Sequence, residues 1–330
     1  MNKYLYILPG WLLLSVCILT GCIRESFDDC IDTSEYQVVF NFRYDYNMQY
    51  TDRFAEEVNH ISLFIYDAHT EELKQRIDVF RTDMEANHTI STTLPAGQYV
   101  AVAWGNCDRE TDYFAITQTE KLTTLKMGLT CIDENNEATI NKIGSVFHAM
   151  NRFEATNQTV TIPMSMTKNT NRVRVIVRGM DRMSKEEAEE VMKIRITSNN
   201  WLHNHDNTLA TDQFIEYRSE YTSNEEIIAD FYILRMQVDD TNEVYINLQY
   251  RELGSGKTPT VVLEKSLIPL LVDLPTPVTG EESNDSNNYA HANELLDRQD
   301  EYEIVFDVAA DANGNIYIDS WDHITKPGEF

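Results

Sequence analysis

Cys22 is the residue whose surroundings most clearly prepare it for chemistry. It closes the run Leu19-Thr20-Gly21-Cys22, behind a leader in which Lys3 supplies a positive end and residues 5–19 are apolar but for Pro9, Gly10 and Ser15. Small residues ahead of a cysteine admit a peptidase to the bond before it, and the thiol is the one side chain that forms a thioether. The apolar run is too short to span a bilayer comfortably, so residues 1–21 read as a cleaved signal peptide. Cleavage there leaves Cys22 as the expected first residue.

Other groupings invite chemistry and fail on their neighbours. Gly254-Ser-Gly-Lys-Thr258 looks like the end of a phosphate-binding loop, but the first glycine of that motif would fall at Arg251, and Pro259 with a strand-like run comes next where a helix is required. A hairpin turn is the expectation there. Asp311-Ala-Asn-Gly-Asn315 has the oxygens of a calcium loop without its later glutamate, and Asn313-Gly314 is the preferred pair of a tight hairpin. His203, His205 and Asp206 alternate as metal ligands could, yet Asn199, Asn200, Asn204 and Asn207 crowd the same stretch, which reads as a loop with solvated histidines and no metal. With 54 carboxylates, some pairs fall at glycosidase-like separations by chance. Gly-x-Ser-x-Gly, His-Glu-x-x-His and Gly-x-Gly-x-x-Gly do not occur. No catalytic constellation survives, so the expectation is a protein that is not an enzyme and takes no cofactor.

Five cysteines are present: Cys17 in the leader, Cys22, Cys30, Cys107 and Cys131. Leu-Thr-Gly-Cys behind such a leader resembles the lipobox of bacterial lipoproteins, an acylation site, which implies that Cys22 is spent on lipid; three cysteines then remain in an oxidising compartment, enough for one disulfide within a monomer. The sequence does not fix which pair forms; Cys30 with Cys107 would staple the tether, residues 22–34, to the first domain. Removing 21 residues from 330 leaves 309, and removing Lys3 takes the formal charge from -27 to -28. A body that acidic repels nucleic acid and anionic lipid. Its 42% hydrophobic content supports packed cores in about two domains.

Alternation and turn chemistry dominate the rest. Strands are expected at 38–43, 61–66, 73–80, 89–94 and 98–104, the last entered through Pro95-Ala96-Gly97. Residues 107–145 are less regular. Alternation resumes over 159–166, and the polar run 167–171 suggests a bend between domains 35–167 and 168–330. Further strands are expected at 173–178, 194–197, 227–236, 243–250, 260–263, 302–308 and 315–318. Ser184 and Glu187 stand in capping-box register for a short inserted helix. Residues 276–293, rich in Glu, Asp, Asn and Ser, read as a long mobile surface loop. Short strands at this spacing are the mark of an antiparallel sandwich.

The lipobox with Asp29-Cys30, Phe42-Arg-Tyr-Asp-Tyr-Asn47, Phe54-Ala-Glu-Glu-Val58, Leu63-Phe-Ile-Tyr-Asp67, Leu94-Pro-Ala-Gly97, Ala103-Trp-Gly-Asn106, Phe147-His-Ala149, Met166-Thr-Lys-Asn-Thr-Asn171, Leu296-Asp-Arg-Gln-Asp-Glu-Tyr302 and Trp321 together resemble the FimB-type fimbrial anchor family. The resemblance implies two tandem transthyretin-like Greek-key β-sandwich domains, an acylated N-terminus in the outer membrane, and a place at the base of a fimbrium built from lipoprotein-derived subunits. It implies a non-catalytic receptor that holds the shaft, limits its length and accepts a strand from the adjoining shaft subunit. The acidic stretch from Glu25 to Asp29 resembles a surface-export signal, which turns the body outward. Competing readings are a fimbrial tip or shaft adhesin, a secreted hydrolase, and a surface glycan-binding lipoprotein with Trp104, Trp201 or Trp321 as an aromatic platform.

Overall fold

The computed structural model describes residues 34–107, 113–181, 183–223, 225–239, 241–254, 256, 258–272, 286–312 and 316–324. Cys22, Cys30 and the Asn313-Gly314 turn lie outside them. Among the described residues, twenty strands make two facing sheet pairs and one small bridging sheet.

In the first pair, β1 (Glu35–Arg43) lies between β4 (Thr89–Pro95) and β9 (Val160–Ser165). Facing it is a five-stranded sheet in the order β10 (Thr167–Lys168), β8 (Phe147–Ala155), β5 (Gly97–Gly105), β2 (His60–Asp67), β3 (Leu73–Phe80). Val38, Phe40 and Phe42 alternate inward from β1 and meet Ile61, Leu63 and Ile65 from β2. Aromatic edges fill the gap, Phe40 against Phe153 at 5.4 Å and Tyr44 against Phe147 at 5.0 Å between ring centres. Both faces of β2 are buried, which explains why its sequence runs apolar instead of alternating. The far face, with Phe64, Tyr66, Val100, Val102 and Trp104, belongs to a second apolar cluster that continues into the rest of the molecule. Covering it is a small sheet of β6 (Phe114–Thr117), β7 (Lys126–Leu129) and β13 (Leu202–Asn204), in the order β13-β7-β6.

The second pair sets a five-stranded sheet, β15 (Ser219–Ser223), β16 (Ile227–Leu234), β11 (Thr170–Arg178), β19 (Glu301–Ala310), β20 (Ile316–Ile324), against a four-stranded one. The latter runs β14 (Ile215–Tyr217), β12 (Met192–Ser198), β17 (Val244–Tyr250), β18 (Thr260–Ser266). Gly179 ends β11 at φ +87, where a Cβ would sit 2.2 Å from the Val308 carbonyl oxygen, so only glycine fits. Short helices decorate the frame: α1 (Phe54–Glu57), α2 (Lys185–Val191), α3 (Ile268–Leu271) and α4 (Ser286–Arg298). Helix α2 carries the expected capping box, with Ser184 and Glu187 bonded reciprocally. No helix among the described residues is long and apolar enough to cross a membrane.

Four expectations need correction. The sandwich is not purely antiparallel, because β1 pairs parallel with β9 and β11 parallel with β19. β8, a main member of its sheet, falls in a stretch without assigned strands, since Asn151 interrupts the inward series Phe147, Ala149, Phe153 and Ala155 and apolar Met150 stands exposed on the outward face. The supposed mobile loop contains helix α4, whose buried Ala292 and Leu296 stand four residues apart on one face of an otherwise polar sequence. Nor is His203 solvated: it is fully buried in β13.

Candidate functional site

Between Lys168 and Thr170 the chain leaves one five-stranded sheet and enters the other, and the polar groups of the molecule converge on that step. The Lys168 ammonium donates to Glu57 of α1 at 2.9 Å and to the Asp300 carboxylate. Burial alone would pull its pKa down; Asp300 and Glu57 outweigh that and hold it above the ordinary lysine value. Asn169, fully buried, exchanges side-chain amide hydrogen bonds with Asn207, the return bond being 3.0 Å. Arg235 forms a bidentate pair with Asp297 of α4 at 2.6 and 2.8 Å and donates to the Asn207 carbonyl at 3.2 Å. Arg298 lies between two aromatic faces, its guanidinium carbon 4.1 Å from the Tyr46 ring centre and 4.6 Å from that of Tyr50. A cleft of about 230 Å³, lined by Tyr44, Asn47, Lys168, Gln299 and Asp300 among others, opens beside them. Desolvation raises the buried Tyr44 phenol far above its ordinary pKa, so the cleft presents a neutral hydroxyl.

Fragments that carried the family resemblance meet here. Tyr46, Glu57, Asn106, His148, Lys168, Arg298 and Asp300 come from six separate fragments. Asn106 accepts from the Asn59 N–H at 2.7 Å and donates to the Glu57 carbonyl at 2.9 Å, fixing the α1 end of the Lys168 contact. Sequence reasoning assigned none of these residues a role. Their shared signal was no more than a polar side chain within a motif fragment, and the fold shows which of these have a buried partner.

The sheet edges are the second feature. Exposed Lys74, Arg76 and Asp78 line β3, β4 ends at Pro95, and β9 contains Pro163, devices that discourage further pairing. By contrast β20 is nine residues long and, among the described residues, pairs with β19 alone. Ile316 and Ile318 pack on the core from it, while Tyr317 and Trp321 are each 47% exposed. On the facing sheet, edge strand β18 brings Val261, 53% exposed, and half-buried Val262 and Leu263.

The cysteines, glycines and tryptophans singled out by sequence lie apart from the junction or play structural parts in it. Cys107 is buried at the end of β5, with its Sγ 3.7 Å from the Gly105 carbonyl oxygen. Cys131 is a free, half-buried thiol whose pKa burial pushes up. Gly254 and Gly256 have φ of +67 and +61 between antiparallel β17 and β18, the turn expected there. Among the described residues, no three His, Cys, Asp or Glu side chains are grouped to hold a metal. Trp104 is fully buried, Trp201 is half-buried and donates to the Gln213 carbonyl at 3.0 Å, and Trp321 is exposed on β20; Phe214 with Tyr245 forms a further exposed aromatic pair.

Two sandwiches joined through a buried polar junction make this an all-β, two-sandwich protein. Residues 27–326 match the family described as fimbrillin-A associated anchor proteins Mfa1 and Mfa2, and the chain belongs to that family. No curated protein matches it by sequence. The fimbrial anchor protein Mfa2 from Porphyromonas gingivalis has the same fold, with 17% identity and a TM-score of 0.66 over 88% of this chain and 97% of that one. So does an adhesin candidate from Bacteroides ovatus, at 18% identity and TM-score 0.68 over 92% and 97%. A candidate polysaccharide-binding protein from Bacteroides thetaiotaomicron matches at 22% and 0.65, over 88% and 99%.

Proposed function

We propose that this protein is the lipid-anchored base of a fimbrium. Cys22, acylated after removal of residues 1–21, holds the chain to the outer membrane with its body facing outward. Domains 35–167 and 168–330 hold the shaft and limit its length without catalysis, and shaft subunits are the partners. Membership of the anchor family across residues 27–326 carries this reading. Attachment works by strand addition: among the described residues the outer side of β20 has no strand neighbour, and the seam it makes with β18 offers apolar contacts for alternate side chains of the incoming strand.

Two experiments test the anchor and its tether. Deleting the gene should release fimbriae into the medium, and Cys22→Ala should do the same while leaving the body folded. Fimbriae that stay attached and unchanged in length in both strains would overturn the anchor reading. A second reading, surface glycan capture, is favoured by exposed Phe214 and Tyr245, whose ring centres lie 6.1 Å apart. Under it, replacing both with alanine would abolish retention on a glycan array and leave fimbriae attached.

A further inference from the structure

The hairpin that contains β13 is fastened to the first sheet pair by His148 and carries the buried His203 within it. His148 on β8 is buried, stacks on Trp104 of β5 at 4.5 Å between ring centres, and its Nε2 lies 2.8 Å from the His205 carbonyl oxygen, to which it donates as the N–H tautomer. His203, fully buried, places Nδ1 3.4 Å from the Asn207 carbonyl oxygen, while its Nε2 and the Nδ1 of His205 have no hydrogen-bond partner. The groups facing them are Trp104 from β5, Asp206 and Asn207 from the hairpin, Asn200 before it, and Arg235 after β16. Arg235 is itself paired with Asp297 of α4, so one positive charge already occupies the cluster with its counter-ion spent.

We propose that this hairpin is an acid-sensitive latch: it locks the two sheet pairs together while His148 and His203 are neutral and releases when they take up protons. A proton on either ring adds a second positive charge beside Arg235 in a space closed to water. Asp206 favours a charged His148 but is the weakest of the influences on it, and its carboxylate accepts from the Thr208 hydroxyl at 2.6 Å. Burial, the largest cause, pushes the closed-state pKa down to about 3 for His148 and about 4 for His203, and Arg235 adds to both.

Once the hairpin opens, the rings meet water and titrate near the usual 6.5. Between pH 6.5 and about 4 the open form therefore binds protons that the closed form refuses. Each histidine then favours opening about tenfold per pH unit. Below about pH 4 the His203 contribution stops growing, and that of His148 stops below about pH 3. The inference concerns the junction and stands whether or not β20 accepts a strand.

The test uses the full chain, followed by small-angle scattering and tryptophan fluorescence from pH 7.5 to 4. A reversible gain in radius of gyration with a change in Trp104 emission, at a midpoint between pH 6 and 4, is expected. In His148→Gln/His203→Asn the midpoint should fall by at least one pH unit. An unchanged midpoint in the variant, or no expansion of the wild type by pH 4, would overturn the latch. If the variant does not fold at pH 7.5, histidine-selective NMR of the wild type decides. Two imidazoles that stay neutral until expansion support the latch, and all imidazoles titrating near 6.5 in the unexpanded chain refute it.

Discussion

Strands β1 and β11 occupy equivalent places in their sheets, and the sheets differ in what lies beyond them. Each has an antiparallel neighbour on one side, β4 or β16, and a parallel neighbour on the other, β9 or β19. Around β1 the sheet stops there, with Pro95 and Pro163 in its edges. Around β11 it continues through β15 and β20, and β20 leaves an apolar seam against β18. One building plan thus gives a closed sandwich and an extensible one, and edge chemistry decides which.

The comparison breaks first in the cores. Phe40→Ala and Phe231→Ala remove fully buried rings from the two sheet pairs and should each cost about 3–5 kcal/mol in urea unfolding. A loss under about 1 kcal/mol for one of them would show that its pair does not depend on ring packing as the other does. Next comes the junction. Lys168→Met leaves Glu57 and Asp300 facing each other and should cost about 2 kcal/mol, discounted because Asp300 is 33% exposed. The same change in a Glu57→Gln/Asp300→Asn background should recover most of it. Lys168 has a raised folded pKa, so its contribution is full below the unfolded lysine value and is lost as pH climbs through the folded one. Wild type and Lys168→Met should converge in stability at strongly alkaline pH.

Smaller effects sharpen the contrast. Helix α2 has no counterpart in the first pair, and Ser184→Ala should cost about 1 kcal/mol while hydrogen exchange in β1, β4 and β9 stays unchanged. Asp319 has no partner in the β19 register, so Asp319→Pro should change stability by less than about 0.5 kcal/mol. Capture of shaft subunits should nevertheless fall severalfold. Full capture by this variant would move strand acceptance away from β20.

Period-two alternation made most of the strands legible, because a half-buried strand must alternate whatever its partners are. Their pairing was not legible: β1 meets β9 across more than a hundred residues, and nothing local to Val38 or Val160 encodes a parallel neighbour. The asparagines near His203 pointed toward solvent by composition. In the fold, Asn200 instead donates to the Leu234 and Arg235 carbonyls and accepts from Tyr217, so the amides serve buried main chain. Helix α4 was hidden by its Asn and Asp content, which marks loops statistically but here supplies Asn293 to Val238 and Asp297 to Arg235. The candidate site was visible only as unexplained polar residues within motif fragments. Lys168, Asp300 and Glu57 are separated by more than a hundred residues in sequence, and their proximity is a product of topology.

The step from β10 to β11 has a mechanical consequence. One residue, Asn169, separates the last hydrogen bonds of the first pair from the middle of the second pair's main sheet. Tension along the backbone at that residue runs down the axis of β11, which is held by β16 on one side and by seven registered positions of β19 on the other. Pulled along its length, such a strand must shear its ladders as a group and cannot be peeled one bond at a time. A tug transmitted from one sandwich to the other therefore meets the sheet in its strongest direction.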